Sequence, residues 1–201
     1  IVSAPDLWLF SAENGALPGG KVGGVGDVIR DLPPALLARG WRPRVITPAY
    51  GRLHHLDGAR RHRELEVSFA GERHVVQVYA LPSATDGVAL FVLAHPLFAP
   101  NGDTRVYCPD PPDHPYETDS GKFAFFCASI AAWVAQSAEP PAILHLHDWH
   151  TGLVPLLRAS PGASPNLAAS RCVFTIHNIA YQGVRPFSGV PAALDSWFPE
   201  L

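Results

Sequence analysis

Methionine is missing from these 201 residues, lysine occurs only as Lys21 and Lys122, and cysteine occurs three times. With a formal net charge of -3 and charged residues at only 16%, neither disorder nor a polyanion-binding surface is suggested, and no nucleic acid partner is expected. Cys108, Cys127 and Cys172 are odd in number and far apart, which fits neither a disulfide framework nor a CxxC metal site; reduced, mostly buried thiols are expected. No run approaches the roughly 18 apolar residues that a membrane helix needs, and IVSAPDLWLF lacks the basic start of a signal peptide. No membrane partner and a cytoplasmic location are therefore expected. The missing methionine, even at position 1, and an ending at DSWFPEL with no closing element read as a piece of something longer.

What is present is a large apolar fraction, 47% of residues, enough to bury a core in one domain over residues 1–201. LWLFS at 7–11 has strand length. It leads through a glycine-rich segment into a helical pattern, with Val25, Val28, Ile29, Leu32, Leu36 and Leu37 recurring at three- and four-residue spacing. RVITP at 44–48 follows Gly40 as the next strand, so the first fifty residues predict a βαβ unit, kinked at Pro33 and Pro34. Residues 64–93 alternate, predicting a hairpin and a further strand. Residues 95–117 carry six prolines and read as an irregular loop. A helix is predicted over 118–138, with Thr118, Asp119 and Ser120 as N-cap candidates and Phe123, Phe126, Cys127, Ile130 and Val134 on one apolar face. Then come a strand at 142–147, a helix from Thr151, a strand at 171–176 and a short terminal helix. Strands alternating with helices define an α/β fold, a Rossmann-like, mainly parallel sheet with flanking helices.

In an open parallel sheet, ligands sit beyond the carboxyl ends of the strands. Three polar clusters fall there: the glycine loop with Lys21, then Asp148-Trp149-His150, then His177-Asn178. Bare glycines let backbone N–H groups approach an anion, the following helix adds its positive end, and Lys21 adds a full charge, so a phosphate is the expected ligand of that loop. The spacing matches neither a P-loop nor GxGxxG. His145, His147, Asp148 and His150 could each bind a metal, but His150 lies beyond the strand and no fourth ligand has a recognisable spacing; no metal and no cofactor are expected, and His145 and His147 read as buried, hydrogen-bonded residues. Asp148, at a strand end, is expected to face a ligand.

KVGGVGDVIRDLPPALLARGWRPRVITPAYG, HLHDWHTGLVPLL and VFTIHNIAYQG, in that order, resemble the main blocks of the N-terminal half of bacterial glycogen synthases and plant starch synthases, from about Leu7 to Gly183. YETDSGKFAFFC resembles a weaker fourth block, departing at Ser120 and Lys122. The resemblance implies a GT-B glucosyltransferase that moves glucose from ADP-glucose to an α-1,4-glucan with retention. This chain would be the acceptor-side domain, with a C-terminal nucleotide-binding domain as its missing partner. It also implies that Lys21 and Gly24 meet the donor phosphates, that Asp148 and His177 are catalytic, and that Asn178 and Tyr107 bind substrate, with Tyr116 competing for the tyrosine position. A retaining transfer through a carboxylate would put Asp148 forward as nucleophile, whereas the resemblance favours front-face attack assisted by the leaving phosphate. Two other readings stand beside it: a noncatalytic glucan- or nucleotide-binding module, and a GT-B transferase using UDP-glucose.

Overall fold

The computed structural model describes residues 4–201. Its elements are β1 (Asp6–Phe10), α1 (Gly24–Leu37), β2 (Arg42–Pro48), β3 (Arg60–Phe69), β4 (Glu72–Leu81), β5 (Ala89–Ala94), α2 (Glu117–Ala135), β6 (Ile143–His147), α3 (Val154–Ala159), α4 (Pro165–Ala169), β7 (Arg171–Thr175) and α5 (Leu194–Trp197). One seven-stranded sheet runs in the order β3-β4-β5-β2-β1-β6-β7. The five strands β5, β2, β1, β6 and β7 are parallel, and the β3–β4 hairpin adds two antiparallel strands at one edge.

β1 lies in the middle of the sheet and is buried along its whole length, which is why DLWLF carries no alternation. Trp8 packs on Trp133 of α2 at 5.2 Å between ring centroids, and Phe10 meets Phe126 edge-on at 6.4 Å. Burying a side chain of this size stabilises by roughly 1.5–3 kcal/mol. α2 buries more than the single face its sequence predicts: Phe125 and Trp133 are covered as well. It is sandwiched, touching β3 of the sheet as well as α3, α4 and α5. α1 runs unbroken through Pro33 and Pro34, so the predicted kink leaves no break in the helix.

α2 also begins differently from expectation. Tyr116, at φ 63°, occupies the cap position, and Asp110 of the proline-rich loop accepts from the Thr118 N–H at 3.0 Å. Asp119 turns inward instead and pairs with Lys122 at 2.8 Å, both side chains buried (3% and 0% exposed). The Lys122 ammonium donates to the Val106 carbonyl at 2.7 Å, and Asp119 accepts from the Cys108 N–H at 3.0 Å. One ion pair therefore straps residues 106–108 of the loop onto α2.

The two sheet edges are unlike. On β3, buried Leu65, Val67 and Phe69 alternate with exposed Glu64, Glu66 and Ser68, the pattern of a strand with one wet face. On β7, Val173 and Phe174 point to opposite faces and both are exposed. Of the thirteen exposed large hydrophobic residues described, eight lie between Val173 and Val190. No helix among the described residues is long and apolar enough to cross a membrane.

Candidate active site

β1, β6 and β7 are parallel, so their carboxyl ends open on the same side, and a cavity of about 560 Å³ lies there. It is lined by Glu13, Gly24, Tyr107, Asp148, Trp149 and Asn178, with Tyr116 and Tyr181 at its aromatic side. Of the residues singled out from sequence, Gly24, Asp148, Asn178 and both candidate tyrosines meet in this cavity. Lys21 and His177 stand beside it without lining it.

The glycine wall is organised by Glu13, which sequence reading passed over. Its buried carboxylate accepts from the backbone N–H groups of Val22 at 2.8 Å and Gly23 at 2.6 Å through one oxygen. The other oxygen accepts from the Tyr107 hydroxyl at 2.9 Å. Burial first, and then the Glu13 charge, hold the Tyr107 phenol well above its ordinary pKa, so it stays protonated as a donor. Part of the anion-binding backbone expected of this loop is thus occupied by the protein's own carboxylate. The next residue, Gly24, opens α1; a Cβ built on it would meet nothing within 4 Å, so the bare backbone there answers no internal crowding. Gly26 differs: a Cβ would come within 2.7 Å of the Lys21 side chain. The Lys21 stem lies across Gly26, and its ammonium pairs with Asp27 at 2.6 Å on the surface. That contact, chiefly the hydrogen bond from Lys21, holds the Asp27 carboxyl below its usual pKa.

The histidine wall hangs on Asp148. Its N–H continues the β6–β7 ladder to the Thr175 carbonyl at 2.9 Å, but its backbone then turns to φ 59°, ψ -179°, a conformation glycine favours. A non-glycine residue there carries a cost of about 1–3 kcal/mol. The turn aims a nearly buried carboxylate (4% exposed) at the neighbouring loop, where Oδ1 accepts from the N–H groups of His177 at 2.7 Å and Asn178 at 3.4 Å. The Asn178 side chain accepts in turn from Ala180 N–H at 2.7 Å, closing the turn after β7. His147 Nδ1 lies 2.8 Å from His177 Nε2, and the two rings stack at 16°. His145 bonds Thr175 at 2.8 Å. Burial pushes His147 and His150 down to about 3, so both rings are neutral at ordinary pH. Among the described residues no group of three or more His, Cys, Asp or Glu side chains is placed to hold a metal ion.

A parallel Rossmann-like sheet whose strand ends converge on an anion-suited loop and a carboxylate is an α/β ligand-binding architecture, and its match to a solved starch synthase catalytic domain makes it one half of a GT-B glycosyltransferase fold. A model of the starch synthase catalytic domain matches residues 7–200, and the chain belongs to that family. It is 35% identical over 198 residues to a glycogen synthase of Gloeobacter violaceus, covering 95% of this chain and 38% of that protein. To a glycogen synthase of an Anaeromyxobacter species it is 38% identical over 192 residues, covering 94% and 38%. Among solved structures it superposes on the catalytic domain of starch synthase IV from Arabidopsis thaliana, bound to ADP and acarbose, with TM-score 0.72 and 28% identity, over 90% of this chain and 35% of that one. The chain thus spans little more than a third of the length of these relatives.

Proposed function

We propose that this chain is the acceptor-side, N-terminal domain of a retaining glucosyltransferase that extends an α-1,4-glucan from ADP-glucose in the cytoplasm. A second domain would supply most of the nucleotide site, leaving these residues inactive alone. The observation that carries the reading is the meeting of Gly24, Asp148, Asn178 and Tyr107 in one cavity at the carboxyl ends of the parallel strands. Family membership and the likeness to a starch synthase bound to ADP support the choice of donor.

Each residue then has work that its position permits. Cleavage of the glucose–phosphate bond leaves negative charge on the diphosphate. Backbone at Gly24 and the positive end of α1 stabilise that charge. The Lys21 ammonium joins them by leaving Asp27; an exposed, solvent-screened pair of this kind holds only weakly, so it exchanges readily for a phosphate. Asp148 has one oxygen committed to two backbone N–H groups, which suits a residue that positions the His177 loop and an acceptor hydroxyl better than a free nucleophile. The acceptor hydroxyl attacks from the face the diphosphate leaves, and its proton passes to a phosphate oxygen. His177 and Asn178 hold the transferred sugar.

The test measures labelled glucose transfer to glycogen by the 201-residue chain and by a chimera carrying it in place of the matching region of the Anaeromyxobacter glycogen synthase. Transfer from ADP-glucose by the chimera and none by the chain alone is expected. A chimera that binds glycogen without transfer would favour the noncatalytic module.

A further inference from the structure

Strands β6 and β7 and the loop after them place His145, His147 and His177 in a row. Ring centroids lie 4.1 Å apart for the first pair and 5.1 Å for the second. His147 is 1% exposed, and its Nε2 is buried with no hydrogen-bond partner. Its Nδ1 lies 2.8 Å from His177 Nε2, whereas His177 Nδ1 has no partner among the described residues.

A neutral imidazole carries one N–H and one lone pair. The 2.8 Å contact therefore holds a single proton, with two ways of placing it. If His177 donates, the proton of His147 must sit on Nε2, leaving an N–H buried against nothing. If His147 donates from Nδ1, its Nε2 is only an unused lone pair. Orphaned buried N–H groups are rarer in proteins than under-used acceptors, and leaving one costs about 1–3 kcal/mol. Burial keeps His147 from resolving the conflict by taking a second proton.

We infer that His147 is a positioning residue that donates to His177 and thereby fixes His177 as its Nδ1–H tautomer, with that N–H the ring's one free donor. The consequence rests on the proposed transfer: the sugar held at His177 must offer an oxygen that accepts there. The grip of Asp148 on the His177 N–H at 2.7 Å fixes the backbone, and the stacked His147 fixes the ring.

Long-range proton–nitrogen correlation NMR on the chain labelled with ¹⁵N-histidine tests the assignment, with His177→Gln identifying the signal. His177 is expected to show the Nδ1–H pattern in the unsubstituted chain; an Nε2–H pattern would overturn the inference. In His147→Asn the amide N–H stands close to the place of Nδ1–H, and the pattern should persist. In His147→Leu it should revert to Nε2–H, and persistence there would also sink the idea. If His147→Leu fails to fold, the unsubstituted spectrum still decides. In the chimera, His147→Leu should lower kcat by roughly 10- to 100-fold with KM for glycogen little changed, and His147→Asn should restore most of it. An Nδ1–H signal that responds as stated, in a chimera that transfers no glucose, would leave the tautomer standing and remove the proposed function instead.

Discussion

The two walls of the cavity solve one problem with different materials. Each ties a loop to a strand end through a buried carboxylate that accepts from two successive backbone N–H groups: Glu13 for Val22 and Gly23, Asp148 for His177 and Asn178. On the glycine wall the loop bends to suit an ordinary Glu13, and the second oxygen is anchored by Tyr107, itself held by the strap from Lys122. On the histidine wall the bend sits in the carboxylate residue itself, at φ 59°; the Thr151 hydroxyl donates to its carbonyl at 3.1 Å, but among the described residues no side chain bonds its carboxylate. The difference teaches that the glycine wall depends on remote packing, whereas the histidine wall depends on one strained residue.

The largest effect should come from cutting the strap. Lys122→Met leaves Asp119 buried without its partner, and urea unfolding should lose about 3–5 kcal/mol. A loss below about 1 kcal/mol would mean that the glycine wall stands without its strap.

Replacing Asp148 with Gly separates strain from clamp. The backbone relaxes, offsetting part of the lost hydrogen bonding, while the His177 N–H loses a carboxylate partner worth about 1.5–3 kcal/mol. Exchange of that amide should quicken by roughly 10- to 100-fold, with unfolding stability changed far less. Equal loss in both would place Asp148 in the global fold.

Acid offers a gentler probe of the histidine wall. His147 and His150 have folded values near 3, below the unfolded value of about 6.5. The unfolded chain therefore binds protons that the folded chain refuses, and stability falls as pH drops from about 6.5 toward 3. Each ring contributes a slope of up to about 1.4 kcal/mol per pH unit. Unfolding free energies measured at pH 7 and pH 5 should show a shallower slope in His147→Asn.

The smallest stability effects belong to Lys21→Ala and Gly24→Ala, each expected within about 1 kcal/mol of the parent because both sites are open. In the chimera both should reduce transfer far more than they reduce stability. Proportionate losses would take these residues out of the donor site.

Much of this was legible beforehand because strand ends announce themselves. An apolar run that stops at a charged residue marked Asp148, and glycines around a rare lysine marked Gly24 and Lys21. The same rule points to Glu13, which follows LWLFSA directly. Asp119 stands at the start of an apolar run, where a cap is expected, and only packing reveals that it faces Lys122. The meeting of His147 with His177 was equally hidden, since a register 30 residues apart is set by the sheet and not by local pattern.

Strand β7, with apolar residues exposed on both faces, sets how the isolated chain behaves in the tube. An unpaired edge of that kind seeds pairing with any other chain that reaches it. Protein concentration, more than heat, then governs how long the isolated chain stays dispersed, and a lysine in place of Phe174 is the economical gatekeeper against clumping.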